Sequence, residues 1–227
     1  VSGVVAGIKR LSFCVMIEKR RKRIIGYVLG VISIGFILLT ISIFIFPHSF
    51  IDLAFSQEVQ EFQNPFLDSS MKLVSWFGNS PGSYITILTG ALMFLLFKFR
   101  REALFVLLTA VSALVSTLIK ILVNRPRPSE PLVHVIQKAN QQSFPSGHVM
   151  FYIVYFGFLT VLMYHLKTIP KAVRLIVAAI SILLIFTVPY SRIYLGDHWF
   201  TDVLGGFLMG MLLLYLLSYF YFRKPVK

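Results

Sequence analysis

Six stretches of this chain, residues 24–46, 84–97, 103–119, 149–164, 175–190 and 203–222, contain no Asp, Glu, Lys or Arg. A helix needs about 20 apolar residues to cross the hydrocarbon of a bilayer, within roughly 17–25. The first and last stretches meet that length outright. The middle four reach it by extending into their flanks, at residues 82–83, 120–123, 147–148 and 172–174. Four buried helices of a soluble core are the competing explanation. With 57% hydrophobic and 14% charged residues, and a mean hydropathy of +0.79, there is too little polar surface to cover such a core. The expected fold is all-α, a polytopic membrane protein with six transmembrane helices.

Basic residues orient those helices. Lys9, Arg10, Lys19, Arg20, Arg21, Lys22, Arg23, Lys98, Arg100, Arg101, Lys167, Lys171, Arg174, Arg223, Lys224 and Lys227 would share one side, 16 of the 22 basic residues, against only Glu18 and Glu102. The positive-inside rule makes that side the cytoplasm and leaves both termini there. The net charge of +13 then reflects topology and contact with anionic lipid. No basic stripe is interleaved with stacking aromatics, so the charge is not a nucleic-acid footprint.

One domain is expected over residues 24–222, with residues 1–23 a basic cytoplasmic arm against the membrane and 223–227 a cytoplasmic tail. The N-terminal stretch reads as an uncleaved anchor, since no small-residue cleavage site follows its apolar run. Cys14 is the single cysteine, so no intramolecular disulfide can form. In the longest connection, residues 47–81, Phe55, Val59, Phe62 and Phe66 recur at helical spacing with Gln57, Glu58, Gln60 and Glu61 between them. This pattern predicts one helix lying in the membrane interface or packed on the bundle, with Trp76 and Phe77 at headgroup level.

Three short polar segments lie at the ends of apolar runs, and alternating spans would bring all three to the outer face. Lys120 is a cation about one turn below the surface, where a charge at the bilayer centre would cost about 2.5–3.5 kcal/mol on insertion scales. Pro126 and Pro128 stop the helix after Asn124, which lets an arginine fold back beside Lys120. Arg125-Pro126 and Arg127-Pro128 duplicate each other, and residue physics alone does not choose between them. Pro145-Ser146-Gly147-His148 precedes the fourth run. Free N–H groups at a helix start, a close-approach glycine and a hydroxyl make an anion cradle, although the same residues could form a plain cap. In the third segment, Ser191-Arg192 supplies a guanidinium fork, and His198 and Asp202 stand at i, i+4, which on one helix brings their side chains together. An Asp accepting from the imidazole Nδ1–H would leave Nε2 as a nucleophile. Such a pair could also be half of a metal site, but His48, His134 and His165 stand apart from it.

Taken in order, these residues fit K-x6-R-P, P-S-G-H and S-R-x5-H-x3-D without mismatch. This pattern resembles the type 2 phosphatidic acid phosphatase superfamily, the lipid phosphate phosphatases, which shares its site with vanadium-dependent haloperoxidases. The resemblance covers nearly the whole chain, and its spacing selects Arg127. It implies His198 as the nucleophile forming a phosphohistidine, Asp202 as its orienting group and His148 as general acid and base. Lys120, Arg127, Arg192, Ser146 and Gly147 would bind phosphate. No metal or other cofactor is implied. The partners expected are a lipid phosphate substrate and the bilayer, with no nucleic acid and no protein partner. Phosphatidylglycerol phosphate and undecaprenyl pyrophosphate are the substrates expected. A phosphotransferase using a hydroxyl acceptor, or a non-catalytic binding or transport relative, are the alternatives.

Overall fold

The computed structural model describes residues 2–137 and 141–223, with side chains from residue 18 onward. Lys9, Arg10 and Cys14 therefore lie outside the described side chains, and most of the 223–227 tail lies outside the described residues. All regular structure among the described residues is helical: α1 Ser2–Ile45, α2 Phe50–Gln60, α3 Pro65–Trp76, α4 Gly82–Leu96, α5 Arg100–Leu108, α6 Val111–Val123, α7 Gly147–His165, α8 Lys171–Tyr194 and α9 Phe200–Phe222. Helix α1 runs without a break through residue 23, where the arm was expected to end.

Among the described residues, five segments are long and apolar enough to cross a membrane: Glu18–Ile45, Arg100–Val123, Gly147–His165, Lys171–Tyr194 and Phe200–Phe222. Helices α5 and α6 make up the second, joined at a break where backbone bonds tighten to i→i−3 and side-chain hydroxyls add to them. Thr109 Oγ1 donates to the Val106 carbonyl at 2.6 Å and Ser112 Oγ to the Thr109 carbonyl at 2.7 Å. The remaining apolar run forms α4, which has 15 residues. At 1.5 Å per residue it is about 22 Å long, short of the roughly 30 Å hydrocarbon.

Helix α7 is the central one, although its span is the least apolar of the five, with a mean hydropathy of 1.6. In its most apolar window 67% of residues are buried, against 6% for α1 and 11% for α8. Phe151, Tyr152, Ile153, Phe158 and Leu162 of α7 are core residues, clustered with Val106, Val188 and Val203. Helix α1 lies at the rim, touching the bundle through Phe36, whose ring stacks on Phe144 at 5.8 Å. Gly206 of α9 permits one close approach that shapes the site, because a Cβ there would lie 2.6 Å from the Ser146 carbonyl oxygen.

The single helix expected through Phe55, Val59, Phe62 and Phe66 is instead two. Asn64 accepts from the Leu67 N–H at 2.8 Å and Pro65 occupies the first turn, so a new helix starts there. Val59 packs on the core, Phe55 stacks on Phe200 at 4.1 Å, and Phe62 and Phe66 are exposed.

Between these loop helices and the bundle lies a fully buried ion cluster. Arg125 Nη2 meets Asp52 Oδ2 at 2.6 Å and Arg125 Nη1 meets Asp202 Oδ1 at 2.6 Å, with side chains at most 1% exposed. Its Nε and Nη2 also donate to the Pro47 carbonyl, at 3.0 and 2.8 Å. Asp52 Oδ1 in turn accepts from the Thr201 N–H at 2.9 Å, covering a free donor at the start of α9. Removing one member of a buried charge group strands the others. Arg125→Met, which leaves two buried carboxylates without their cation, is expected to cost about 3–5 kcal/mol. Thermal unfolding in detergent should show a clear fall in Tm, and an unchanged Tm would refute the structural role.

Candidate active site

The helix ends carrying the three polar segments meet at one end of the bundle. Helix α6 stops after Val123 because Asn124 turns left-handed, with φ 49°, and the proline-rich stretch that follows cannot continue it. Lys120 is 5% exposed, and its ammonium donates to the Gln142 carbonyl. Arg127 folds back over this end. Its Nη1 donates to the Asp197 carbonyl at 2.7 Å and to Asp197 Oδ1 at 2.8 Å, and lies 3.5 Å from His198 Nε2. The two arginines that sequence physics left equivalent therefore differ in place: Arg125 sits behind Asp202, while Arg127 faces the Nε2 side of His198.

Ser146 caps α7, and its own N–H donates to the Asp202 carbonyl at 2.9 Å. That bond ties the second segment to the third. Gly147 and His148 follow in the first turn, where backbone N–H groups have no partner within the helix. A Cβ on Gly147 would lie 3.1 Å from Ser116 Oγ and 4.0 Å from Lys120 Cε, so the glycine backs directly onto the lysine. His148 Nε2 is 2.8 Å from Asn79 Oδ1 in the turn after α3.

Arg192, at the end of α8, is 1% exposed. Its Nη1 donates to Ser75 Oγ at 2.7 Å and its Nη2 pairs with Asp197 Oδ2. His198 is buried, and it lies just before Trp199, the N-cap of α9, rather than on the helix. The i, i+4 helical contact expected with Asp202 is therefore looser than a hydrogen bond. His198 Nδ1 is 3.6 Å from Asp202 Oδ2. That oxygen instead accepts from the Trp199 N–H at 2.9 Å, as the third residue of a helix does in a capping box, and from Ser143 Oγ. Ser143 Oγ is itself 3.5 Å from Nδ1, between the two.

All eight residues singled out from the sequence thus stand in one connected cluster. Arg125, the other arginine of the duplicated pair, joins it through Asp202, and Asp197, Ser143, Asn79 and Ser75 join it without having been expected. Asp197 had a local signal, an acid beside the histidine in an otherwise uncharged stretch. The others have none, because they act across large sequence separations.

Electrostatics favour an anion here. Burial, reinforced by Arg127, Lys120 and Arg192, holds the His198 imidazole well below its ordinary 6.5, so it is neutral at pH 7. Burial also lowers the Arg127 guanidinium, to about 10, which leaves it charged. Among the described residues, Ser146 Oγ, Ser116 Oγ and Arg192 Nε are buried donors with no hydrogen-bond partner. Buried donors of this kind are satisfied by an ordered water or an acceptor ligand. His148, Asp197 and His198 do bring possible metal-ligand atoms within 4.8 Å of one another. Both Asp197 oxygens are already held by guanidinium groups, and a metal ion there would face Lys120, Arg127 and Arg192. The donor set fits a phosphate better than a cation.

Residues 101–225 match the PAP2 superfamily. Over 175 residues the chain is 34% identical to phosphatidylglycerophosphatase B of Bacillus subtilis, covering 74% of this chain and 82% of that protein. It is 28% identical over 165 residues to an undecaprenyl-diphosphatase of Sulfolobus acidocaldarius, covering 71% and 74% of the two chains. The crystal structure of a transmembrane PAP2-type phosphatidylglycerolphosphate phosphatase from Bacillus subtilis superposes with a TM-score of 0.73 at 27% identity, over 87% of this chain and 98% of the other. LpxE of Aquifex aeolicus shares the fold, with a TM-score of 0.59 at 24% identity over 74% and 94%. This chain belongs to the PAP2 superfamily and is a membrane phosphatase of that family.

Proposed function

We propose that the protein hydrolyses the terminal phosphate of membrane lipid phosphates, phosphatidylglycerol phosphate first and undecaprenyl pyrophosphate second, through a phosphohistidine. The observation that carries this reading is the neutral His198, whose Nε2 faces Arg127 with Arg192, Asp197 and His148 close by. The names of two relatives that the chain resembles support the choice of substrates.

In the first step, Nε2 of His198 attacks phosphorus and the bond from phosphorus to the leaving oxygen breaks. His148 gives that oxygen a proton. Asp202, with Ser143 between, orients the imidazole and stabilises its positive charge. In the second step His148 takes a proton from water, the oxygen of that water attacks phosphorus, and the N–P bond breaks to release phosphate. Lys120, Arg127, Arg192, Ser146 and the Gly147 N–H hold the nonbridging oxygens while charge spreads over them. Cations and dipoles suffice for this chemistry, so no metal is required.

Helix α4 counts as the sixth span in this reading, lengthened by its flanks. Both termini are cytoplasmic and the site opens on the extracytoplasmic side, because the basic residues concentrate at the opposite ends of the helices. A lipid tail would stay in the bilayer while its phosphate enters among the helix ends.

Three measurements check the proposal. His198→Ala and His148→Ala should each lower the rate about 10²–10⁴-fold or more on a lipid phosphate. Near-normal turnover of the His198 variant would end the nucleophile assignment. The acid limb of kcat/KM should lie below pH 6.5, because burial keeps His198 neutral past that point and activity falls only as pH drops through its lowered pKa. An acid limb above 6.5 would contradict a buried neutral nucleophile. Finally, EDTA should leave purified protein active, and glycerol phosphate should react with much lower kcat/KM than the lipid in the same detergent, because tail contacts supply binding energy. An absolute Mg²⁺ requirement, or equal efficiency on both substrates, would refute the metal-free mechanism or the lipid assignment respectively.

A further inference from the structure

Asp197 stands where a substrate phosphate would have to stand. Its Oδ2 is 3.8 Å from Nε2 of His198, and the same oxygen pairs with Arg192. Its Oδ1 is 2.8 Å from Arg127 Nη1. The carboxylate thus lies between two guanidinium forks on the nucleophilic side of the imidazole, with His148 also within 4.8 Å. A phosphorus about to be attacked must come within about 3–3.5 Å of Nε2. Its nonbridging oxygens and the Asp197 oxygens cannot share that volume. We propose that Asp197 is a tethered anion that competes with the substrate for Arg127 and Arg192, and so selects dianionic phosphomonoesters and diphosphates over the monoanionic phosphodiesters of the bilayer. The inference rests on the lipid phosphatase reading.

Charge supplies the selection. A phosphodiester headgroup carries one negative charge and would replace one negative charge. Because the carboxylate is held on the same chain, it competes at an effective concentration no dilute ligand matches. A terminal phosphate brings about two charges to Lys120, Arg127 and Arg192, and gains what the diester cannot. Displacement asks little of the backbone. The Asp197 N–H donates to the Arg192 carbonyl at 3.1 Å and the Asp197 carbonyl accepts from Arg127, bonds that do not involve the carboxylate itself. Its return would help expel inorganic phosphate at the end of the cycle.

The full chain in detergent micelles provides the test, with wild type, Asp197→Asn and Asp197→Glu compared. Inorganic phosphate and vanadate are titrated as inhibitors of lipid phosphate hydrolysis, and phosphate is also titrated by thermal shift. Phosphatidylglycerol, a monoanionic diester, is added at rising mole fraction. In Asp197→Asn the competitor is gone, so phosphate and vanadate should bind about tenfold tighter or more, and phosphatidylglycerol should become an inhibitor. Asp197→Glu keeps the charge with longer reach, so phosphate should bind as in wild type or more weakly. Equal or weaker phosphate binding in Asp197→Asn would show that the residue only orients the arginines, and overturn the proposal. If that variant does not fold, tighter phosphate binding by Asp197→Glu would overturn it instead. A wild type that binds phosphate but leaves lipid phosphates intact would sink the functional reading, while the thermal-shift titrations would still decide the role of Asp197.

Discussion

The bridge from Asp52 through Arg125 to Asp202 is the contact on which the rest of the arrangement depends. A guanidinium buried at the end of a helical bundle is tolerable only with its hydrogens satisfied, and here two carboxylates, the Pro47 carbonyl and the Thr201 hydroxyl take them. In satisfying Arg125, the chain fixes three things together. The loop helix α2 is drawn onto the bundle, the first N–H groups of α9 are covered, and Asp202 is held behind His198. Fold stability and site geometry are therefore one set of contacts.

The second constraint is the meeting of helix ends. Lys120, His148, Arg192 and Asp202 are each within a turn of a terminus. Helix ends are where backbone donors are free and where chain direction changes. A site made of such ends can gather cations from distant parts of the sequence without placing any at the bilayer centre. Gly206 contributes by its lack of a side chain, since it lets the Ser146 turn settle against α9 and donate to the Asp202 carbonyl.

Much of this was legible beforehand, for identifiable reasons. Charge-free runs announce helices in lipid, and prolines after Asn124 announce where α6 must stop. The central place of α7 was not legible, because its run is no more apolar than those of the other spans. Three motif segments at the ends of runs declare their convergence. The i, i+4 rule failed at His198 and Asp202 because it presumes a helix through both, and α9 begins only after Trp199. The apolar spacing from Phe55 to Phe66 misled because Asn64-Pro65 is a stronger local signal than periodicity. Asp52, Ser75 and Asn79 could not be read at all. Each is a polar residue whose partner lies from 69 to 149 positions away, and nothing in local spacing encodes such a pairing.

Those three residues share a location with consequences for how the family diversifies. The PAP2 match begins at residue 101, while Asp52, Ser75 and Asn79 all precede it. They touch, in turn, Arg125, Arg192 and His148. The portion of the chain outside the family signature thus supplies counter-ions and props to the portion inside it. A chimera joining this motif-bearing half to the leading hundred residues of another member would transplant the reactive groups without their supports. Only donor segments that happen to place a carboxylate against Arg125 could restore the arrangement. The two halves form one working unit, joined through those three contacts.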